Sequence, residues 1–320
     1  MESPQNIKKR LRSVNNINKI TKAMEMVAAT KMRKSQEIAL SSRPYAFAAL
    51  DFLASLCNLD PEKLPELFKK RDVKRVLFIL VSSDKGLAGA FNSSVFRKFE
   101  QHIKEYPASA KGFGVAKEEH LYVAVGEKAF NYLSKKGFNV VKKFVAVGDF
   151  TTTEQVHPLT ELVVEGYLHG KWDRVVIVST HFRSALKQEP HVRRILPVDF
   201  DHIKETVQEI IPERGKFADL MKEQQISFIP DVCENKEYLI EPSAGEVLNK
   251  LAEHLFFIQV YHLILEANAS EHSARRMAMK TASDNASDLG ESLNLQYNKS
   301  RQSRITTEIS EISAGAEALS

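Results

Sequence analysis

The stretch Leu248-Asn249-Lys250-Leu251-Ala252-Glu253-His254-Leu255-Phe256-Phe257-Ile258-Gln259-Val260-Tyr261-His262-Leu263-Ile264-Leu265 decides the architecture. Leu248, Leu251, Leu255, Ile258, His262, Leu265 and Ala269 alternate steps of three and four residues. That is the seam of a helix made to lie along another helix. The apolar run 255–265 is interrupted by Gln259 and His262 and is about half of a ~20-residue span, so no membrane helix is read here. Downstream the seam thins into small residues from Ala269 to Ala286 and returns as Ile305, Ile309, Ile312, Ala316 and Leu319. No proline follows Pro242, and only Gly290 and Gly315 stand where they could interrupt a helix. About 78 helical residues at ~1.5 Å each predict a rod roughly 117 Å long. A compact chain of this length has a diameter near ~50 Å. The rod is therefore expected to leave the globular part, and its apolar stripe needs cover.

The other chain end is the expected cover. Ser3 and Pro4 form a helix start, an N-cap followed by proline in the first turn. Ile7, Leu11, Val14, Ile17, Ile20, Met24 and Val27 then recur in steps of three and four, predicting one apolar stripe. Pro44 is expected to bend this helix, which resumes to about residue 59. Charge supports the pairing of the ends. Residues 1–45 hold ten basic and three acidic side chains, whereas residues 241–320 hold seven basic and eleven acidic. Opposite ends of opposite sign find each other or meet different partners.

Between the ends the pattern changes. Eleven of the 13 glycines lie from Gly86 to Gly245. Residues 76–81, 121–125, 144–147 and 175–178 are short β-branched apolar runs, suited to strands buried on both faces. Helical intervals at 93–106, 127–136 and 154–169 separate them, and 193–198 adds an edge strand. Such alternation predicts an α/β fold with a mostly parallel, Rossmann-like sheet. The expected organisation is an N-terminal shaft helix over 1–60, an α/β domain over 72–200, an extended insertion over 201–240 and a C-terminal shaft helix over 241–320. The shaft is a long antiparallel coiled coil.

Composition excludes several classes. The hydrophobic share of 43% and charged share of 27% exclude a disordered chain. Cys57 and Cys233 are too few for a disulfide scaffold and suit a reducing compartment. The N-terminus lacks the apolar core of a signal peptide and is too regular to read as a transit peptide. No G-x-x-x-x-G-K-[ST] loop occurs. Ser82-Ser83-Asp84-Lys85-Gly86-Leu87-Ala88-Gly89-Ala90-Phe91-Asn92 sits where open sheets bind ligands, but its glycine spacing is not a dinucleotide fingerprint. A tight strand-to-helix turn is favoured there, with Asp84 and Asp149 read as turn carboxylates and Glu118-Glu119-His120 as a solvated loop. The ten histidines contain no H-x-x-x-H pair, so no catalytic, cofactor-binding or metal-ligating residue is expected. No aromatic residue precedes Tyr45 to stack on bases, which disfavours a nucleic-acid arm.

The termini carry a specific resemblance. Ile20-Thr21-Lys22-Ala23-Met24-Glu25-Met26-Val27-Ala28-Ala29 with Lys31-Met32-Arg33-Lys34 is similar to the N-terminal signature of the gamma subunit family of F-type ATP synthases. Ala269-Ser270-Glu271-His272-Ser273-Ala274-Arg275-Arg276-Met277, Asp284-Asn285-Ala286, Tyr297-Asn298-Lys299, Arg301-Gln302 and Ile305-Thr306-Thr307-Glu308 resemble its other end. The loop at 83–92 also resembles the family, with Lys85 where arginine is usual. The chain departs from many bacterial members at about 201–230. There the nearby Cys233 alone does not support a local disulfide switch.

The resemblance implies a central rotor shaft that carries no catalytic residues and needs no cofactor. Its partners would be the alpha and beta subunits of the catalytic hexamer, the epsilon subunit and the c-ring. It would be a peripheral protein at the cytoplasmic face of a bacterial plasma membrane. Proton flow would turn the shaft, and the shaft would drive the beta sites. The resemblance further implies that Arg301 and Gln302 grip a beta subunit, and that Met24, Arg275, Thr306 and Glu308 lie where rotation couples to catalysis. The residues alone leave two other readings: an α/β metabolite-binding enzyme dimerised by helical arms, and a coiled-coil scaffold with a basic, nucleic-acid-binding arm.

Overall fold

A computed structural model describes residues 3–41, 65–105, 119–149, 151–198 and 243–318. The expected bend at Pro44, the helix to residue 59 and the insertion at 201–240 fall outside the described residues. The chain forms two compact units, residues 1–29 with 275–320, and residues 30–274. Helix α1, Pro4–Ser41, and the C-terminal helix α5, Ala244–Ala318, each contribute to both. Helix α5 is 75 residues long and runs through Gly290 and Gly315 without a break.

Residues 30–274 hold a five-stranded sheet of order β3-β2-β1-β4-β5. The strands are β1 Arg75–Val81, β2 Glu119–Val125, β3 Val140–Phe144, β4 Arg174–Phe182 and β5 Gln188–Leu196. The first four run parallel and β5 runs antiparallel to β4. Helices α2 Phe91–Glu105, α3 Glu127–Lys135 and α4 Thr153–Leu168 connect them. Side chains alternate along the central strands. Leu77, Ile79, Val123, Val175 and Ile177 meet α4 and residues 248–267 of α5 on one face. Val76, Phe78, Leu80, Tyr122 and Val176 meet Val95 and Phe99 of α2 and Leu133 of α3 on the other.

Two strands start four or more residues from the sequence reading, and β4 runs on to Phe182 instead of ending at 178. The third strand is 140–144, not 144–147, because β3 is an edge strand and carries Lys142 and Lys143. Charged side chains are a common guard on a sheet edge, and they break the apolar run that marks a buried strand. Residues 145–147 instead turn, with Ala146 at φ 62°. The last strand starts at Gln188, earlier than 193, and includes Pro190, which an edge strand accommodates because it needs no donor on its open side.

One glycine is required by packing. A Cβ on Gly166 of α4 would lie 1.9 Å from the Trp172 ring. The indole is buried there and donates to the Val163 carbonyl at 3.0 Å.

Candidate functional site

In the unit formed by residues 1–29 and 275–320, the seam between α1 and α5 is made of small and polar side chains. On α1, Ile7, Thr21 and Ala28 are buried, with Leu11, Val14 and Asn18 half-buried between them. On α5, Met279, Ser283, Ala286, Gly290 and Leu293 are buried at steps of four and three. The Ser283 hydroxyl donates to Asn18 Oδ1 at 2.6 Å, and the Cβ position of Gly290 faces Asn15 Oδ1 and Val14. These contacts fix an antiparallel register.

This corrects the stripe read from sequence. Ile7, Leu11 and Val14 lie on the seam, but Ile17, Ile20 and Val27 are exposed. Thr21 and Ala28 occupy the seam instead, because small side chains allow two backbones to approach closely. The larger aliphatics are left one position aside, facing outward. That exposed face was missed in the sequence. Its signal was available, since Thr21, Ala28 and Ser35 repeat every seven residues from Ile7 and the aliphatics do not.

The register also shows where the cover ends. With Gly290 opposite Asn15, counting one residue against one brings Pro4 opposite about residue 300. Beyond that point all of 301–314 and Ala316 are exposed, including Ile305, Ile309 and Ile312. The first helix is therefore not the cover for this last stripe. At ~100° per residue the three isoleucines share an arc of about 60°. Arg301 and Glu308 fall along one edge of that arc, Gln302 and Thr306 along the other.

The six residues singled out from sequence occupy two places in this unit. Met24 and Arg275 are half-buried in the two-helix part. Arg301, Gln302, Thr306 and Glu308 are exposed on the bare part. From Arg275 to Arg301 is about 39 Å of helix, so no single contact includes both groups. Within the bare part the polar side chains are held locally. The Thr306 hydroxyl donates to the Gln302 carbonyl at 3.0 Å, and Arg304 donates to Glu308 at 2.8 Å. The hydrogen bond and charge of Glu308 push the Arg304 pKa up.

The sheet-end loop is built for a different purpose. Asp84 Oδ1 accepts the Glu127 N–H at 3.0 Å, and Oδ2 accepts the Ala146 N–H at 2.9 Å. Asn92 donates to the Ser83 hydroxyl at 2.7 Å and accepts the Ser83 N–H at 3.1 Å. The Ser82 hydroxyl accepts the Ala129 N–H at 2.6 Å. These polar groups close turns and start helices, as the turn reading expects. Asp149 pairs with Lys31 at 2.6 Å. Burial alone would raise its carboxyl pKa, yet Lys31, with His272 and Lys85, holds it below the ordinary value.

The family model described as ATP synthase matches residues 3–319. The ATP synthase gamma chain of Cupriavidus pinatubonensis is 37% identical over 319 residues, covering 100% of each chain. That of Roseiflexus castenholzii is 34% identical over 321 residues, covering 100% of this chain and 99% of its own. The chain belongs to the ATP synthase gamma chain family. It is a non-catalytic member of a machine whose chemistry lies in other subunits. Two solved structures have the same fold. A chain of the Euglena gracilis mitochondrial ATP synthase, in an OSCP/F1/c-ring assembly in rotational state 3, gives a TM-score of 0.60. It covers 99% of this chain and 94% of its own at 17% identity. A chain of the Tetrahymena thermophila central stalk and c-ring gives 0.56 at 23% identity, covering 82% of this chain and 99% of its own.

Proposed function

We propose that this gamma chain is the rotor of a proton-translocating F-type ATP synthase, and that its bare C-terminal helix turns inside the ring of alpha and beta subunits. The exposure of residues 301–314 beyond the reach of α1 carries the reading. Three isoleucines on one arc of an uncovered helix, each partly exposed, lose on the order of 1–2 kcal/mol apiece relative to full burial. A sleeve supplied by other chains removes that cost without locking the rod, because apolar contact is not directional. The edges of the arc differ: Arg301 and Glu308 present charge, Gln302 and Thr306 neutral hydrogen-bonding groups. A rotating surface with unlike edges presents different chemistry in turn to identical neighbours, which is how one shaft sets several sites out of phase. Arg301 and Gln302 grip a beta subunit, and Met24, Arg275, Thr306 and Glu308 line the path that couples rotation to catalysis.

The other end of the machine is the c-ring, reached together with the epsilon subunit. The bacterial relatives support a membrane-attached complex, and we assign this chain to the cytoplasmic face of a plasma membrane. Among the described residues no helix is long and apolar enough to cross that membrane.

The test compares two sets of variants in complexes purified with one copy of this chain per three alpha and three beta subunits. Replacing Arg301 and Gln302 together with Ala removes charge-assisted contacts and is expected to lower ATP hydrolysis by at least tenfold. Asp84→Asn keeps one of the two backbone hydrogen bonds and loses the other, because its amide nitrogen cannot accept; in assembled complexes it is expected to leave hydrolysis within twofold of the parent. A general base lost at Asp84 would instead cost about 10²-fold or more. The reverse ranking would favour the enzyme reading over the rotor.

A further inference from the structure

Helix α5 meets the sheet unit in two chemically different ways. Residues 252–267 present Ala252, Leu255, Phe256, Val260, Leu263 and Ile264 to the apolar core. Such packing holds strongly, and its driving force has no preferred direction. A second set of contacts is directional. Tyr261, Asn268 and His272 follow one another at i, i+7 and i+11, and so share one face of the helix. All three are buried. The Tyr261 hydroxyl donates to the Thr151 carbonyl at 3.0 Å. The Asn268 amide donates to the Val147 carbonyl at 2.8 Å and to the Thr151 hydroxyl oxygen at 2.6 Å. The Thr151 hydroxyl donates in turn to the Val147 carbonyl at 2.5 Å. His272 Nε2 lies 3.1 Å from the Gly148 carbonyl, which only accepts, so that nitrogen carries the proton.

The same short stretch is tied on its other sides. Asp84, at the end of β1, holds the Ala146 N–H and the first N–H of α3. Asp149 is paired with Lys31 of α1. Residues 146–149 and Thr151 thus join both long helices to the end of the sheet through hydrogen bonds of fixed direction, several of them to backbone.

We propose that this is the joint through which torque passes between the shaft helices and the α/β domain, with Asn268 and Thr151 as its positioning residues. The proposal rests on the rotor reading. A turn of α5 about its axis shears these bonds directly, and bonds weaken steeply once bent. The joint therefore contributes to the torsional stiffness between α5 and the α/β domain.

The test uses the membrane-reconstituted holoenzyme. Thr151→Val with Asn268→Leu removes the Thr151–Asn268 pair with groups of similar shape but also takes both side-chain donors from the Val147 carbonyl, so some loss of stability is expected alongside the change in stiffness. Thr151→Ser keeps the hydroxyl and serves as the rescue. The double variant is expected to hydrolyse ATP within twofold of the parent but to pump at least twofold fewer protons per ATP. With the hexamer immobilised and stalled, a probe on the α/β domain is expected to show at least a twofold larger angular variance. Thr151→Ser is expected to match the parent in both. Should the double variant fail to assemble, Thr151→Val alone is read by the same variance, against Thr151→Ser. Parental pumping and variance in the assembled double variant, or in Thr151→Val where that replaces it, would overturn the joint, as would a Thr151→Ser as impaired as Thr151→Val. The Arg301/Gln302 double variant separates the two ideas. If its hydrolysis is normal, the rotor reading fails first; if it is impaired while the joint variants behave as the parent, only the joint fails.

Discussion

In residues 30–274 the side chains of Leu77, Ile79, Leu80, Leu133 and Ile177 keep no accessible surface. In the unit of residues 1–29 and 275–320, Ile309 keeps 59%, Ile312 72% and Leu295 73%. Both regions are rich in aliphatic residues, and the difference lies in what completes them. The sheet unit closes its own core on two faces. The helical unit spends small residues on its internal seam and turns larger ones outward, which is stable only against neighbours from other chains. A sequence can be specific and yet unfinished, and the unfinished part is where a partner is written into it.

Two glycines break this comparison most sharply. Gly166 and Gly290 both lie inside helices, where alanine is ordinarily better by about 0.5–1 kcal/mol. At Gly166 the added methyl would collide with the Trp172 ring at 1.9 Å, so Gly166→Ala is expected to destabilise the sheet unit by about 3 kcal/mol. At Gly290 the nearest atom is Asn15 Oδ1 at 3.4 Å. Gly290→Ala is therefore expected to stabilise the helical unit by about 0.5 kcal/mol. Trp172 is the single tryptophan. Urea unfolding followed by its fluorescence reads the sheet unit, while helical circular dichroism reads both. A Gly166→Ala transition at the parental midpoint would show that the two-faced core is looser than its burial suggests.

The smallest effect concerns pH. Residues 1–29 and 275–320 contain no histidine, whereas His102 and His191 lie in the sheet unit. Burial, above all, lowers both below the ordinary 6.5, helped by Lys98 at His102 and by Arg193 and His181 at His191. The unfolded chain takes up protons near pH 6.5 that the folded chain refuses until lower pH. Their contribution is whole above about pH 6.5 and is lost as pH falls from there through the folded values. The fluorescence midpoint is expected to fall with acid over that window and to fall less in His191→Gln. An unchanged slope in His191→Gln would remove His191 from the account.

How far the sequence could be read follows the same division. Strands β1, β2 and β4 were legible because they are buried on both faces, so apolar character is continuous along them. Strand β3 was misplaced by four residues at its start, because an edge strand with Lys142 and Lys143 does not advertise itself by hydrophobicity. On α1 the rule that apolar residues mark the seam held for Ile7, Leu11 and Val14 and failed for Ile17, Ile20 and Val27. Those residues were patterned for an outside surface, and periodicity cannot say which of two adjacent stripes faces inward. The long α5 was read to its end. That α1 stops short of its last turns became clear only from the register set by Asn18 with Ser283 and by Gly290. The joint at Thr151 and Asn268 was invisible in sequence, since neither residue belongs to a pattern and their partners are mostly backbone carbonyls.

The central claim is that α5 is completed by its own chain at one end and by other chains at the other. Amide hydrogen exchange, peptide by peptide along α5, tests it in the free chain and in the assembled complex. Residues 255–273 are expected to be strongly protected in both. Residues 301–316 are expected to exchange near the unprotected rate in the free chain and to slow by at least tenfold on assembly. Equal exchange at 301–316 in the two states would contradict the account.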